Sequence, residues 1–201
     1  MAAATTHRTQ EERRAETRGK LLEATIRSLL ENGYAQTTTR TVSALAGVSP
    51  GAMAHYFPRR VDLVAAAMEE LVERNIADWR ATADGLPSAP TKRVSALLDR
   101  VWDDFTGPTF PIFIKLWVAA ADDAELYERL AESEERIARS ITELAVDAFR
   151  DLKAPEGWSG RLLVTLAAMR GLALTHHFEP RTEDQPDPWP EARAALLKGL
   201  R

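Results

Sequence analysis

The chain has 201 residues, 45% apolar and 28% charged, with a formal net charge of −4; this suits one ordinary domain or two small ones and argues against bulk disorder. Cysteine is absent, which excludes disulfides, thiolate metal sites and cysteine nucleophiles and fits a reducing cytosol. No apolar run approaches the roughly 18 residues of a membrane span, and the first eight residues hold no apolar signal core, so a cytoplasmic protein with no membrane association is expected.

Helical periodicity recurs from end to end, and strand signals are nearly missing. Leu22, Ile26, Leu29 and Leu30 form an i, i+4, i+7, i+8 stripe that stops at Asn32-Gly33, predicting a first helix over 10–31. Thr38 then reads as an N-cap, with Val42, Leu45 and Ala46 as the apolar side of a two-turn helix and Gly47 as its left-handed end. Ser49 is the next N-cap and Pro50 sits at N1, where its missing N–H costs nothing. Two short helices joined by a glycine-containing turn make a helix-turn-helix, whose second helix is short enough to enter a DNA major groove.

A fourth stripe, Val64, Met68, Leu71, Val72, Ile76 and Trp79, ends at the linker Gly85-Leu86-Pro87-Ser88-Ala89-Pro90. Val94, Leu97, Leu98, Val101, Trp102 and Phe105 make a fifth helix, broken at Gly107-Pro108, and a short aromatic helix follows from Phe110 to Ala121. Asp122-Asp123 offers an N-cap to a long helix carrying Leu126, Leu130, Ile137, Ile141 and Leu144. Ser159 opens another helix, a proline-rich surface loop runs from Glu179 to Pro190, and an amphipathic segment over 191–200 closes the pattern. The fold class is all-α, with an N-terminal three-helix unit followed by a larger helical body.

Charge divides along the same line. Residues 1–60 carry nine basic and five acidic side chains, a net +4, and the remainder carries −8. A basic segment on an acidic body suits a protein that meets a polyanion at one end.

The Ala46-Gly47-Val48-Ser49 turn, the Gly51-Ala52-Met53-Ala54-His55-Tyr56-Phe57 helix and Arg59-Arg60-Val61-Asp62-Leu63 after it resemble the tetracycline-repressor (TetR) family of bacterial transcriptional regulators. The resemblance is detailed over about residues 10–70 and holds only in layout beyond them. It implies a flexible basic arm over 1–9, a DNA-binding domain over 10–57, a connecting helix over 58–83 and a ligand-binding and dimerisation domain over 91–201. Carried onto this chain, it implies phosphate contacts from Thr38, Tyr56 and Arg60, the last standing where the family usually has lysine. Arg40 joins the DNA-facing set, and Ser49, Pro50, Gly51, Ala52 and His55 would face base edges or flanking phosphates. Ala54 stands where the family commonly has tyrosine, so base readout leans on Pro50, Ala52 and His55 or on DNA shape. Ser43 replaces a small apolar residue, and its hydroxyl is expected to bond back to its own helix. Met53 and Phe57 are expected in the core, Tyr56 alternatively reads as a half-buried structural tyrosine, and Arg59 reads as solvated. The arm with Arg8, Arg13 and Arg14 reads either as a minor-groove contact or as an uncommitted tail.

The resemblance also implies a ligand cavity in the body. Trp102, Phe105, Phe113, Trp117 and Met169 are the candidate walls, with Arg170 or His176 as polar anchor; the same residues read equally as plain core. Dimerisation is implied through helices over 124–151 and 159–178, with Ala145, Ala148, Leu163, Ala167 and Leu174 at the interface, so that two recognition helices meet successive major grooves about 34–36 Å apart. The partners implied are a double-stranded pseudo-palindromic operator, a small, partly apolar effector and a second copy of the chain.

Enzyme chemistry finds little support. Asp103-Asp104 lacks a third acid one turn on, Asp122-Asp123 is better explained as a cap, and adjacent carboxylates on a helix diverge by about 100°. His176-His177 lacks the i, i+4 spacing of a helical zinc site. No nucleophile elbow, phosphate loop or dinucleotide fingerprint is present, so neither metal nor cofactor is expected. The competing reading is an all-α small-molecule-binding protein or enzyme whose helix-turn-helix is incidental.

Overall fold

The computed structural model describes residues 9–83, 85–149, 157–179 and 187–200, the side chains of 83 and 147–149 excepted. The elements are α1 (Gln10–Gln36), α2 (Thr39–Ala46), α3 (Pro50–Tyr56), α4 (Arg60–Ala83), α5 (Pro90–Thr106), α6 (Phe110–Ala120), α7 (Ala124–Phe149), α8 (Trp158–Phe178) and α9 (Trp189–Gly199). Among the described residues there is no strand. The chain forms two compact units, one comprising residues up to Glu73 with Ile112–Ser133, the other Arg74–Pro111 with Glu134 onward.

In the first unit, the stripe on α1 closes over Val42 of α2, Met53 of α3 and Leu63, Val64, Met68 and Leu71 of α4. Ile112 and Leu116 of α6 and Leu126 and Leu130 of α7 complete this core. Met53 and Phe57 are buried, as the sequence predicts. α1 begins with a capping box in which the Thr9 hydroxyl accepts from Glu12 N–H while the Glu12 carboxylate accepts from Thr9 N–H. Its expected stop at Gly33 is a break and not an end: Gly33 takes φ 73°, ψ 178°, and one further turn follows. Asp123 caps α7, its carboxylate accepting from Leu126 N–H at 3.0 Å.

In the second unit, Val94, Leu97, Leu98, Val101, Trp102 and Phe105 of α5 are buried, as are Leu162, Thr165, Met169 and Ala173 of α8. α9 starts at Trp189, two residues before the expected Glu191, because Pro190 fits a first helical turn that needs no N–H. Trp189 stacks on Trp102 with ring centroids 4.5 Å apart and planes 3° from parallel, and its indole N–H donates to Asp99 at 2.8 Å. Arg193 Nη1 donates to both oxygens of the same carboxylate, at 2.9 and 2.6 Å, a charge-assisted contact that ties α9 to α5. Residues 180–186 of the expected proline-rich loop lie outside the described residues.

Candidate nucleic-acid interface

The helix-turn-helix is built by local capping. Thr38 accepts from Thr41 N–H at 3.1 Å while Thr38 N–H donates to the Thr41 hydroxyl at 2.8 Å, a reciprocal box with threonine in the usual Glu/Gln place. Gly47 takes φ 64°, the left-handed conformation that ends α2. Ser49 caps α3 by accepting from Ala52 N–H at 3.2 Å, with Pro50 in the first turn. The Ser43 hydroxyl does not bond back to its own helix. It donates to Val48 O at 2.9 Å, because its buried position at the end of α2 faces the turn, and so it ties that turn shut.

These caps set which side chains point outward. Arg40, Ser49, Pro50, Gly51, Ala54 and His55 are exposed, and Thr38, Ala52 and Tyr56 are half-buried. Tyr56 packs its ring against the first unit's core, and the His55 ring meets it edge-on at 5.6 Å. α3 therefore buries Met53 and presents the opposite side, as a groove-entering helix requires. Leu45, expected on the apolar side of α2, is 40% exposed instead; it lines a shallow groove with Lys20, Glu23, Ala24, Arg27 and Ala46.

Arg59, just before α4, is exposed as expected, whereas Arg60, the first residue of α4, departs from expectation. Arg59, expected to be solvated, donates to Asp62 from two nitrogens and to Glu125 from a third, and Arg129 reaches the same Asp62. The Arg59 hydrogen bond holds the Asp62 carboxyl below the usual carboxylate range. Arg60, expected at a phosphate, lies with its guanidinium 3.6 Å from the centroid of the Tyr34 ring and donates to Tyr34 O. Its Nε is buried without a hydrogen-bond partner. The Tyr34 hydroxyl donates to Asp123 at 3.2 Å, and burial pushes its pKa up. Nothing in local periodicity marks this cluster, because its members are far apart in sequence.

The residues expected to line a ligand cavity divide between the two units. Trp102, Phe105 and Met169 are buried in the second. His176 meets Trp102 edge-on at 6.2 Å, and Arg170 lies over Phe105 at 5.8 Å while its guanidinium reaches Glu134 at 3.3 Å. Phe113 and Trp117 belong to the first unit, packed against its core, with Trp117 edge-on to Tyr127 at 5.8 Å. His177, weighed in the sequence only as half of a histidine pair, is 3.0 Å from Phe105 O and stacks on Phe110. Asp104, weighed as half of an acidic pair, accepts from Trp79 and Arg100, and burial is the main influence raising its pKa. Among the described residues, no group of three or more His, Cys, Asp or Glu stands ready to hold a metal.

Of the expected dimer residues, Ala145 is fully buried within one chain, and the Ala148 side chain lies outside the described residues. Leu163 and Leu174 are 70% and 38% exposed, and Ala167 is exposed between them. Val164 and Phe178, which sequence reasoning missed, extend the exposed apolar face of α8.

An outward-facing recognition helix on a capped, glycine-turned hairpin defines a helix-turn-helix DNA-binding protein. Residues 21–75 match the profile of the bacterial regulatory proteins of the tetR family. The chain is 29% identical over 198 residues to an uncharacterized HTH-type transcriptional regulator of Mycobacterium tuberculosis, covering 96% of this chain and 99% of that one. It is 37% identical over 129 residues to the HTH-type transcriptional regulator CymR of Pseudomonas putida, covering 64% and 63% of the two chains. Its fold matches that of the multidrug binding protein EbrR at a TM-score of 0.62 and 23% identity, over 92% of this chain and 99% of EbrR. The likeness to the tetR family thus lies in the segment 21–75, which holds the helix-turn-helix. Among its described residues, no helix is long and apolar enough to cross a membrane.

Proposed function

We propose that the chain is a homodimeric, cytoplasmic repressor that binds a pseudo-palindromic operator and is released by a small, partly apolar effector. The observation that carries this reading is the division of α3, with Met53 buried and Ser49, Pro50, Gly51, Ala54 and His55 exposed on a helix whose start is fixed by Ser49. Exposed Arg40 and the half-buried Thr38 and Tyr56 flank that surface with donors for phosphates. The exposed face of α8 supports self-association, since large apolar side chains so displayed mark interaction surfaces.

Effector binding is supported by the aromatic body and by EbrR, which was solved with proflavin bound. α4 is one continuous helix that begins in the DNA-binding unit and ends in the second, where Trp79 donates to Asp104. A ligand that shifts this helix must bind the two states of the dimer with different affinity, and DNA then weakens ligand binding by the same factor. The test is titration of mixed-sequence duplex DNA with the full chain across a salt series. Steep loss of affinity with salt supports the reading, and affinity indifferent to salt refutes it.

A further inference from the structure

The end of α1 poses a problem that its own sequence does not solve. A helix C-terminus leaves carbonyls unpaired and carries a partial negative charge, yet the last turn of α1 holds no basic residue. The break at Gly33 makes the problem sharper, because it interrupts the hydrogen-bond ladder a turn early. Three side chains from outside the helix supply the donors. Lys115 of α6 donates to Leu30 O at 3.1 Å, Thr37 donates its hydroxyl to Gly33 O at 2.8 Å, and Arg60 of α4 donates to Tyr34 O.

Tyr34 O also accepts from Thr37 N–H at 3.1 Å, so Arg60 and the residue preceding the α2 cap share one acceptor. Thr37 is fully buried, and its hydroxyl lies 2.9 Å from that of Ser28. Thr38, next in the chain, is the cap of α2 and one of the DNA-facing hydroxyls proposed above. The Tyr34 ring is held on both sides of its function: Arg60 covers its face and Asp123 takes its hydroxyl. A guanidinium stacked on a ring, bonded to a helix-end carbonyl and with its Nε buried, is packed for structure.

We infer that Arg60 is a positioning residue for DNA binding, capping the end of α1 and thereby holding Thr37, Thr38 and α2 in place, and is not itself a phosphate ligand. The inference rests on the reading of the helix-turn-helix as the DNA-binding surface. It assigns Arg60 a role other than the phosphate contact that the family pattern implies at this position.

Two measurements on the full-length chain test it. In the first, amide hydrogen exchange is compared between wild type and Arg60→Met. Exchange at Thr37 and Thr41 should accelerate about tenfold or more, as local opening of a released segment does, while amides of α8 are unchanged; unaltered protection at Thr37 and Thr41 overturns the inference. In the second, the same proteins are titrated with mixed-sequence duplex across a salt series. Arg60→Met should weaken binding severalfold at every salt concentration while the slope of log affinity on log salt stays at the wild-type value. A phosphate ligand would instead lower that slope by about 0.9, and this result overturns the inference, as does unchanged affinity. If Arg60→Met does not fold, Arg60→Gln, which keeps one donor for Tyr34 O, carries the same slope comparison. Salt-independent binding by wild type would sink the DNA-binding reading, and the exchange comparison would still decide the role of Arg60.

Discussion

Replacing Leu163 with glutamate should dissociate the proposed dimer. Leu163 sits on α8 in a row with Gly160, Ala167, Gly171, Leu174 and Phe178, all exposed in the single chain, and spacings of three, four and seven keep that row on one helical face. Full burial of a leucine side chain is worth about 1.5–3 kcal/mol, and Leu163 is still 70% exposed within one chain, so dimerisation can recover about 1–2 kcal/mol from it. A twofold interface counts the residue twice. Loss of about 2–4 kcal/mol, with two carboxylates to desolvate besides, raises the dimer Kd by about a hundredfold or more. Sedimentation velocity over a concentration series reads the shift, with circular dichroism to show that the helices persist. Val118→Glu is the control, since Val118 is 69% exposed on α6 of the first unit, and it should leave the dimer intact. A Leu163→Glu chain that folds and dimerises as wild type does would refute the assignment of this face.

Other substitutions probe separate links of the account. Tyr56→Phe should weaken binding to all duplexes alike by about 1 kcal/mol, the worth of one hydrogen bond, whereas His55→Ala should alter sequence preference more than overall affinity; parallel titrations on specific and mixed-sequence DNA separate the two. Gly47→Ala places a side chain at φ 64° and should lower stability by about 1–2 kcal/mol, read as a fall in the denaturant midpoint. The Asp104 carboxyl is raised above its ordinary 3.8, chiefly by burial, so over that window the folded state binds more protons than the unfolded one. Stability supplied by Asp104 therefore falls as pH rises from about 3.8 through the raised pKa, and Asp104→Asn should flatten that part of a stability-against-pH curve.

Local chemistry made much of this molecule legible from sequence. Thr38, Gly47, Ser49 and Pro50 act as read, because a cap involves only three or four consecutive residues. Burial of Met53, Phe57 and the α5 stripe follows from helical period. The same period failed at Leu45, since it places a residue on a face without stating whether another helix covers that face. Contacts made at long range were out of reach: Arg60 bonds Tyr34 across 26 positions, Lys115 bonds Leu30 across 85, and Tyr34 bonds Asp123 across 89. For the candidate cavity, aromatic content grouped residues of both units. It did not reveal that Phe113 and Trp117 pack in the DNA-binding unit, because the unit boundary crosses α6 between Pro111 and Ile112 without any break in the helix.

The central claim, that a symmetric dimer reads DNA with α3, is tested most directly by selecting bound sequences from a random duplex pool with the full-length protein and footprinting the winners. The account predicts a pseudo-palindrome whose two half-sites lie on one face of the duplex, their centres separated by about 10–10.5 base pairs or a multiple of that turn, with selection lost or redirected in His55→Ala. Failure to enrich any sequence, or enrichment of a single asymmetric site indifferent to His55, would contradict it.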